Sequence, residues 1–181
     1  MILSLVSKKL KEWINLKQIN STFVKIKSFM ERAVLVNEVK KFFKIQELVD
    51  KATYEKWKEG AWDFFGDDVL ETLLVIRRDI LKTPLVINDW SFGGKNQQRG
   101  LRTNLSPLVK DKTDKGQLYQ TLHLSGKAID AVSSKMTATT MRDLILKNQN
   151  LLPYNIRIEG GVSWLHFDLM NKGVKVYVFK G

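Results

Sequence analysis

The sequence predicts an α+β domain, with helices first and a mostly antiparallel sheet afterwards. Two observations carry this. Apolar residues recur at helical spacing through much of the first 150 positions, most clearly in WDFFGDDVLETLLVIRRDILK (Trp62 to Lys82). From Pro153 onward the pattern changes to three short runs, Pro153 to Glu159, Ser163 to Met170 and Lys175 to Lys180. Gly160-Gly161 and Asn171-Lys172-Gly173 join these runs, and both are hairpin-type signals.

Taken in order, residues 1–45 hold ten Lys/Arg against three Glu, so +7 of the net +11 lies in this quarter of the chain. Leu10, Trp13, Ile14 and Leu16, then Phe23, Ile26, Met30, Ala33 and Val34, fall at helical intervals, and Ser21 or Thr22 suits a cap between them. The expectation is a basic helical extension over residues 1–40, preceding a domain over 41–181. Such an arm either docks on a partner or polyanion, or is a solvated helical face. Phe42 to Glu55 reads as a short extended piece and a helical turn, broken at Gly60.

The Trp62–Lys82 stretch has Asp67 and Asp68 near its start and Arg77, Arg78 and Lys82 near its end, as the helix dipole favours. Val69, Leu70, Leu73, Leu74, Ile76, Ile80 and Leu81 make a broad apolar stripe. Thr83-Pro84 stops it, and Leu85 to Asn88 reads as a short strand. The loop DWSFGGKNQQRGLRTN follows a strand, a position where loops carry function on a rigid scaffold. Residues 105–117 read as an exposed polar excursion. Thr121 to Ser133 reads as a strand pair or a bent strand around Gly126, and Thr137 caps a helix that runs to Asn148.

Composition narrows the chemistry. A chain of 181 residues with 44% hydrophobic and 27% charged residues suits one domain with a real core. No run approaches the roughly 18 apolar residues needed to span a bilayer. In MILSLVSKK the apolar residues precede the charges, the wrong order for a secretory signal, so none is expected. The absence of cysteine excludes disulfides, thiolate metal sites and cysteine nucleophiles, leaving His and carboxylate as metal ligands. The net charge of +11 draws the chain to polyanions. Nucleic acid has only that charge behind it and is not the expected partner.

The chemistry-bearing residues are few. His123 and Asp130 lie in TLHLSGKAID, either side of Gly126, where a bend can bring both to one point. The only other histidine, His166, shares one face of its strand with Trp164 and Asp168. Glu159 precedes the Gly160-Gly161 turn, so a hairpin there carries it toward the His166 strand. Two His and one carboxylate, with a free carboxylate nearby, are the residues of a hydrolytic zinc site, in which zinc lowers the pKa of water to roughly 7. The alternative for each histidine is a satisfied structural residue.

TLHLSGKAID is similar to the S-x-H-x-x-G-x-A-x-D signature of the M15 zinc peptidases, and SWLHFD resembles that family's closing x-V-H-x-D strand. The run from Trp62 to Arg102 resembles the element that precedes the signature, particularly in bacteriophage-encoded members. The resemblance covers about residue 40 to the C-terminus. It implies a Hedgehog/DD-peptidase-like antiparallel sheet with flanking helices, and Zn2+ held by His123, Asp130 and His166. It implies Glu159 as general base, and Arg102 or Arg99, with Arg102 preferred, as the cation that holds a substrate carboxylate or the oxyanion.

Trp90 and Gln98, from the loop before the signature, are the candidate substrate contacts. Trp90, Phe92 and Trp164 can alternatively be packing residues, and packing is preferred for Trp164. Three departures stand out: Thr121 replaces the usual serine, Trp164 stands where many relatives have a second histidine, and Ser163 stands where the E-x-x-H members have their catalytic glutamate. The expected activity is hydrolysis of peptidoglycan stem peptides by a phage-encoded lysin, in a virion or released from the host cytoplasm. The rival is a non-catalytic virion assembly protein that keeps the fold and metal, with its basic N-terminal helices docking on other virion proteins.

Overall fold

The computed structural model describes residues 30–181. Contacts divide the chain into two units, Met1–Asn37 and Glu38–Gly181. Residues 30–40 are helical, and the rest of the expected basic extension, residues 1–29, lies outside the described residues. Among the described residues no helix is long and apolar enough to cross a membrane.

The second unit is mixed α+β, with one four-stranded sheet. Two short helices, α1 (Ile45–Leu48) and α2 (Lys51–Trp57), replace the extended piece and turn expected there. Asp50 between them is fully buried and caps α2, accepting from Thr53 N at 2.9 Å and Thr53 Oγ1 at 2.8 Å. The same carboxylate accepts from Ser106 Oγ at 2.6 Å. A buried carboxylate is costly unless hydrogen-bonded, and these three donors satisfy it while tying the start of α2 to Ser106, 56 residues beyond Asp50.

The expected single helix over Trp62 to Lys82 is interrupted. A tight 3-10 stretch runs Lys58–Phe64, Gly66 is extended, and only then does α3 (Asp67–Val75) begin, ending in a wider turn over Ile76–Ile80. Trp62 and Phe65 are both buried, so the aromatic residues turn into the core before the helix starts. Leu85 to Asn88 contributes one isolated bridge, Val86 to Val132, rather than a strand. Asn88 uses its side chain to tie loops, donating to the Val49 carbonyl at 3.0 Å and accepting from Arg99 N at 2.9 Å. Residues 105–117 are mostly exposed, apart from buried Ser106, but contain a helix, α4 (Pro107–Asp114), with Pro at its start and no buried residue. Its lack of an apolar stripe hid it from periodicity.

The strands β1 (Ala128–Ala131), β2 (Ile156–Gly160), β3 (Leu165–Asp168) and β4 (Val176–Lys180) lie in the order β1-β3-β2-β4. The β1–β3 and β2–β3 pairs are antiparallel, so the Gly160-Gly161 hairpin forms. The hairpin expected at Asn171–Gly173 does not. β4 pairs with β2, in parallel, because both edges of β3 are already taken by β1 and β2. The sheet is therefore mixed rather than antiparallel throughout.

Alternation sorts the two faces of this sheet. Ile129, Ala131, Ile156, Ile158, Leu165 and Phe167 are buried on one. Helix α5 (Ala138–Lys147), capped by Thr137 as expected, packs against β3 and buries Met141 and Ile145. Each such side chain contributes about 1.5–3 kcal/mol on burial. The other face carries Asp130, Arg157, Glu159, His166 and Asp168.

Gly126 sets the bend between His123 and Asp130. Its φ is +65°, and a Cβ there would lie 2.6 Å from the Phe64 carbonyl oxygen. Gly161 also has positive φ, +83°, but open space around it. Gly126→Ala should therefore cost about 1–3 kcal/mol more than Gly161→Ala in urea unfolding, since it adds a backbone clash to the conformational strain. Equal losses would show that the bend tolerates a side chain.

Candidate metal centre

His123 sits on a 3-10 turn, Leu122–Ser125, that Thr121 starts by accepting from His123 N. It is buried, and its Nδ1–H donates to the Gly100 carbonyl at 2.8 Å. A carbonyl can only accept, so Nδ1 carries the proton and Nε2 is left with a free lone pair. That Nε2 lies 3.3 Å from Asp130 Oδ2. Gly100 must be glycine, because a Cβ there would stand 2.0 Å from the Leu48 carbonyl oxygen.

The segment carrying Gly100 clamps the site through its backbone. Asp130 N donates to the Arg99 carbonyl at 2.7 Å, Leu101 N to the Leu48 carbonyl at 2.9 Å, and Arg102 N to the His123 carbonyl at 3.0 Å. Asp130 faces His166 across the β1–β3 ladder, and Asp130 Oδ1 lies 2.7 Å from His166 Nδ1. His123, Asp130 and His166 each offer one ligand atom, all within 4.8 Å of one another, so the three can hold a metal ion. Imidazole nitrogen and carboxylate oxygen are the donors that intermediate divalent cations such as zinc take when no thiolate is present.

The charges around the cluster are matched. Burial opposes ionisation of Asp130, but the imidazoles of His123 and His166 beside it prevail and hold it well below the usual carboxylate range. Burial likewise disfavours charge on His166, yet the carboxylates of Asp130 and Asp168 push it up to about 9. Asp168 is drawn down to about 2 against its own burial by His166 and Arg157. The pocket is electronegative enough to keep a proton on His166, the same demand for positive charge that a divalent cation would meet.

Arg102 stands at this centre. Its Nη2 donates to Asp130 Oδ2 at 3.2 Å, its Nε to the Gln98 carbonyl at 2.7 Å, and its Nη1 to the Tyr119 hydroxyl. Arg99 contributes its backbone, as described. Neither Trp90 nor Gln98 is among the residues that line the cleft beside His166. The Trp90 indole donates to the Val49 carbonyl at 2.9 Å and packs against Tyr54, while Gln98 Oε1 accepts from Leu108 N at 2.8 Å. Both hold the loop. Trp164 is exposed, and its carbonyl accepts from Arg142 Nη1 at 3.0 Å.

The cleft has a volume of about 600 Å³, and Thr121, Leu122, Glu159, His166 and Phe179 are among its lining residues. Glu159 thus shares an open space with one of the three ligands. Sequence reasoning did not assign roles to Asp168, Arg157, Tyr119 or Gly100. Strand alternation put Asp168 on the face of His166; Arg157, Tyr119 and Gly100 carry no local signal. Comparison of the chain with protein-family models, curated proteins and solved structures finds no match.

Added Zn2+ should raise the melting temperature of the protein, by about 2.7 kcal/mol of stabilisation at a hundredfold excess over Kd. Asp130→Asn and His166→Ala should remove that shift. A shift that survives in both variants would place the metal elsewhere.

Proposed function

We propose that this chain is a zinc-dependent peptidase with the Hedgehog/DD-peptidase arrangement, acting on peptidoglycan stem peptides. The observation that supports it most is the convergence of His123, Asp130 and His166 donor atoms beside a cleft that Glu159 also borders. The TLHLSGKAID and SWLHFD resemblance supplies the reaction class, and the net charge of +11 suits attraction to anionic wall polymers.

The residues that would hold zinc are His123 through Nε2, Asp130 through its carboxylate, and His166 through Nδ1. Zinc bound there supplies Lewis acidity toward a carbonyl and toward water. Glu159 takes the proton from the attacking water and passes it to the leaving amine, the work of a general base that becomes a general acid. Arg102 holds positive charge beside Asp130, and the resemblance assigns its guanidinium to the negative charge that builds on the substrate. The walls of the cleft supply apolar contact through Leu122, Leu124 and Phe179. Ser163 is exposed on a separate cavity, so it cannot replace Glu159 as the base.

Purified protein with zinc should release new amino groups from peptidoglycan, and a chelator should stop it. Glu159→Gln should cut the rate about 100- to 10,000-fold while leaving the zinc-induced thermal shift in place. If wild type and Glu159→Gln release amines equally, or neither does, the peptidase reading fails while the metal centre stands.

A further inference from the structure

We propose that Asp168 and Arg157 form a positioning pair that dictates which nitrogen of His166 faces the metal. This rests on the metal reading of His123, Asp130 and His166, and is independent of peptidase activity. Asp168 is 1% exposed and stands outside the group of three that can hold an ion. It nevertheless lies 3.2 Å from His166 Nε2, on the side of the ring away from Asp130. The two imidazole nitrogens therefore meet two different carboxylates. A neutral imidazole has one N–H and one lone pair. When a metal displaces the Nδ1 proton, Asp168 accepts the remaining Nε2 proton, and the Nδ1 lone pair is directed at the site that Asp130 and His123 complete.

Arg157 fixes Asp168 in that task. Its Nε donates to Asp168 Oδ1 at 2.9 Å and its Nη2 to Oδ2 at 2.6 Å, a two-pronged pair across the β2–β3 ladder. Met170 N donates to Oδ1 at 3.0 Å, so the carboxylate cannot turn without losing three donors. The guanidinium lies 4.5 Å from the Phe179 ring centre, and Phe179 stands edge-on to His166 at 5.9 Å. Arg157 also neutralises Asp168, which keeps it an acceptor for the imidazole rather than a second anionic ligand. An ion pair that only stitched β2 to β3 would need neither the approach to Nε2 nor a place on the site's face of the sheet.

The test uses 15N-histidine-labelled wild-type protein titrated with Zn2+ and followed by long-range 1H–15N correlation, where two histidines give a readable spectrum. His166 should be protonated at Nε2 and metal-bound at Nδ1, with His123 the reverse. A His166 that is metal-bound at Nε2, or that averages between tautomers, overturns the proposal. If neither histidine responds to Zn2+, the metal reading falls and this inference with it. Competition with a chelating dye gives a second measure. Asp168→Asn should weaken zinc about 10- to 100-fold, and Arg157→Lys should keep more affinity than Arg157→Gln. Zinc affinity of Asp168→Asn within threefold of wild type would reduce the pair to a strand stitch. Should Asp168→Asn fail to fold, the wild-type spectrum decides alone.

Discussion

One buried carboxylate, Asp130, is the constraint on which the site depends. Its two oxygens meet His123, His166 and Arg102, and its backbone N–H is held by the Arg99 carbonyl. An ionised carboxylate this deep is tolerable only with such partners, since an unpaired buried charge costs several kcal/mol. Each partner arrives from a different part of the chain: the turn after Thr121, strand β3, and the loop that ends at Arg102. The carboxylate therefore needs the tertiary fold, and the fold needs these partners in place to bury it.

The loop from Asp89 to Asn104 is best understood as scaffolding for that carboxylate. Gly100 passes so close to α1 that only a residue without Cβ fits, and its carbonyl then reaches His123 Nδ1. Asn88, Trp90 and Gln98 each spend a polar group on pinning the same loop. Such outer contacts orient ligating groups as much as the ligands' own rotamers do. A composition rich in Gly, Asn, Gln and Arg reads as a binding loop, and here the Asn96 and Gln98 side chains hold the loop itself.

The site was more legible in the sequence than the fold. His123, Asp130 and His166 could be singled out because a cysteine-free chain with two histidines leaves few ligands to choose from. Strand alternation after Pro153 was readable too, since period two survives in short strands. What could not be read was long-range. Nothing local says that β4 pairs with β2, that Trp62 and Phe65 turn inward before α3, or that Arg157 meets Asp168. Helix α4 escaped for the opposite reason: with no buried face it has no period to detect.

The one topological surprise bears directly on the site. Had the Asn171–Gly173 joint closed a hairpin, β4 would have paired with β3 along the edge that β1 occupies, and Asp130 would have lost its place opposite His166. By crossing to β2 instead, β4 leaves that edge to β1. It also brings Phe179 level with Glu159 in the parallel register, where its ring flanks both Arg157 and His166. A parallel pair needs a crossover that a tight hairpin does not, and here the chain from Gly161 to Lys175, strand β3 included, supplies it. The mixed sheet is thus what allows one face to hold the Asp130 carboxylate on one side of His166 and an aromatic wall on the other.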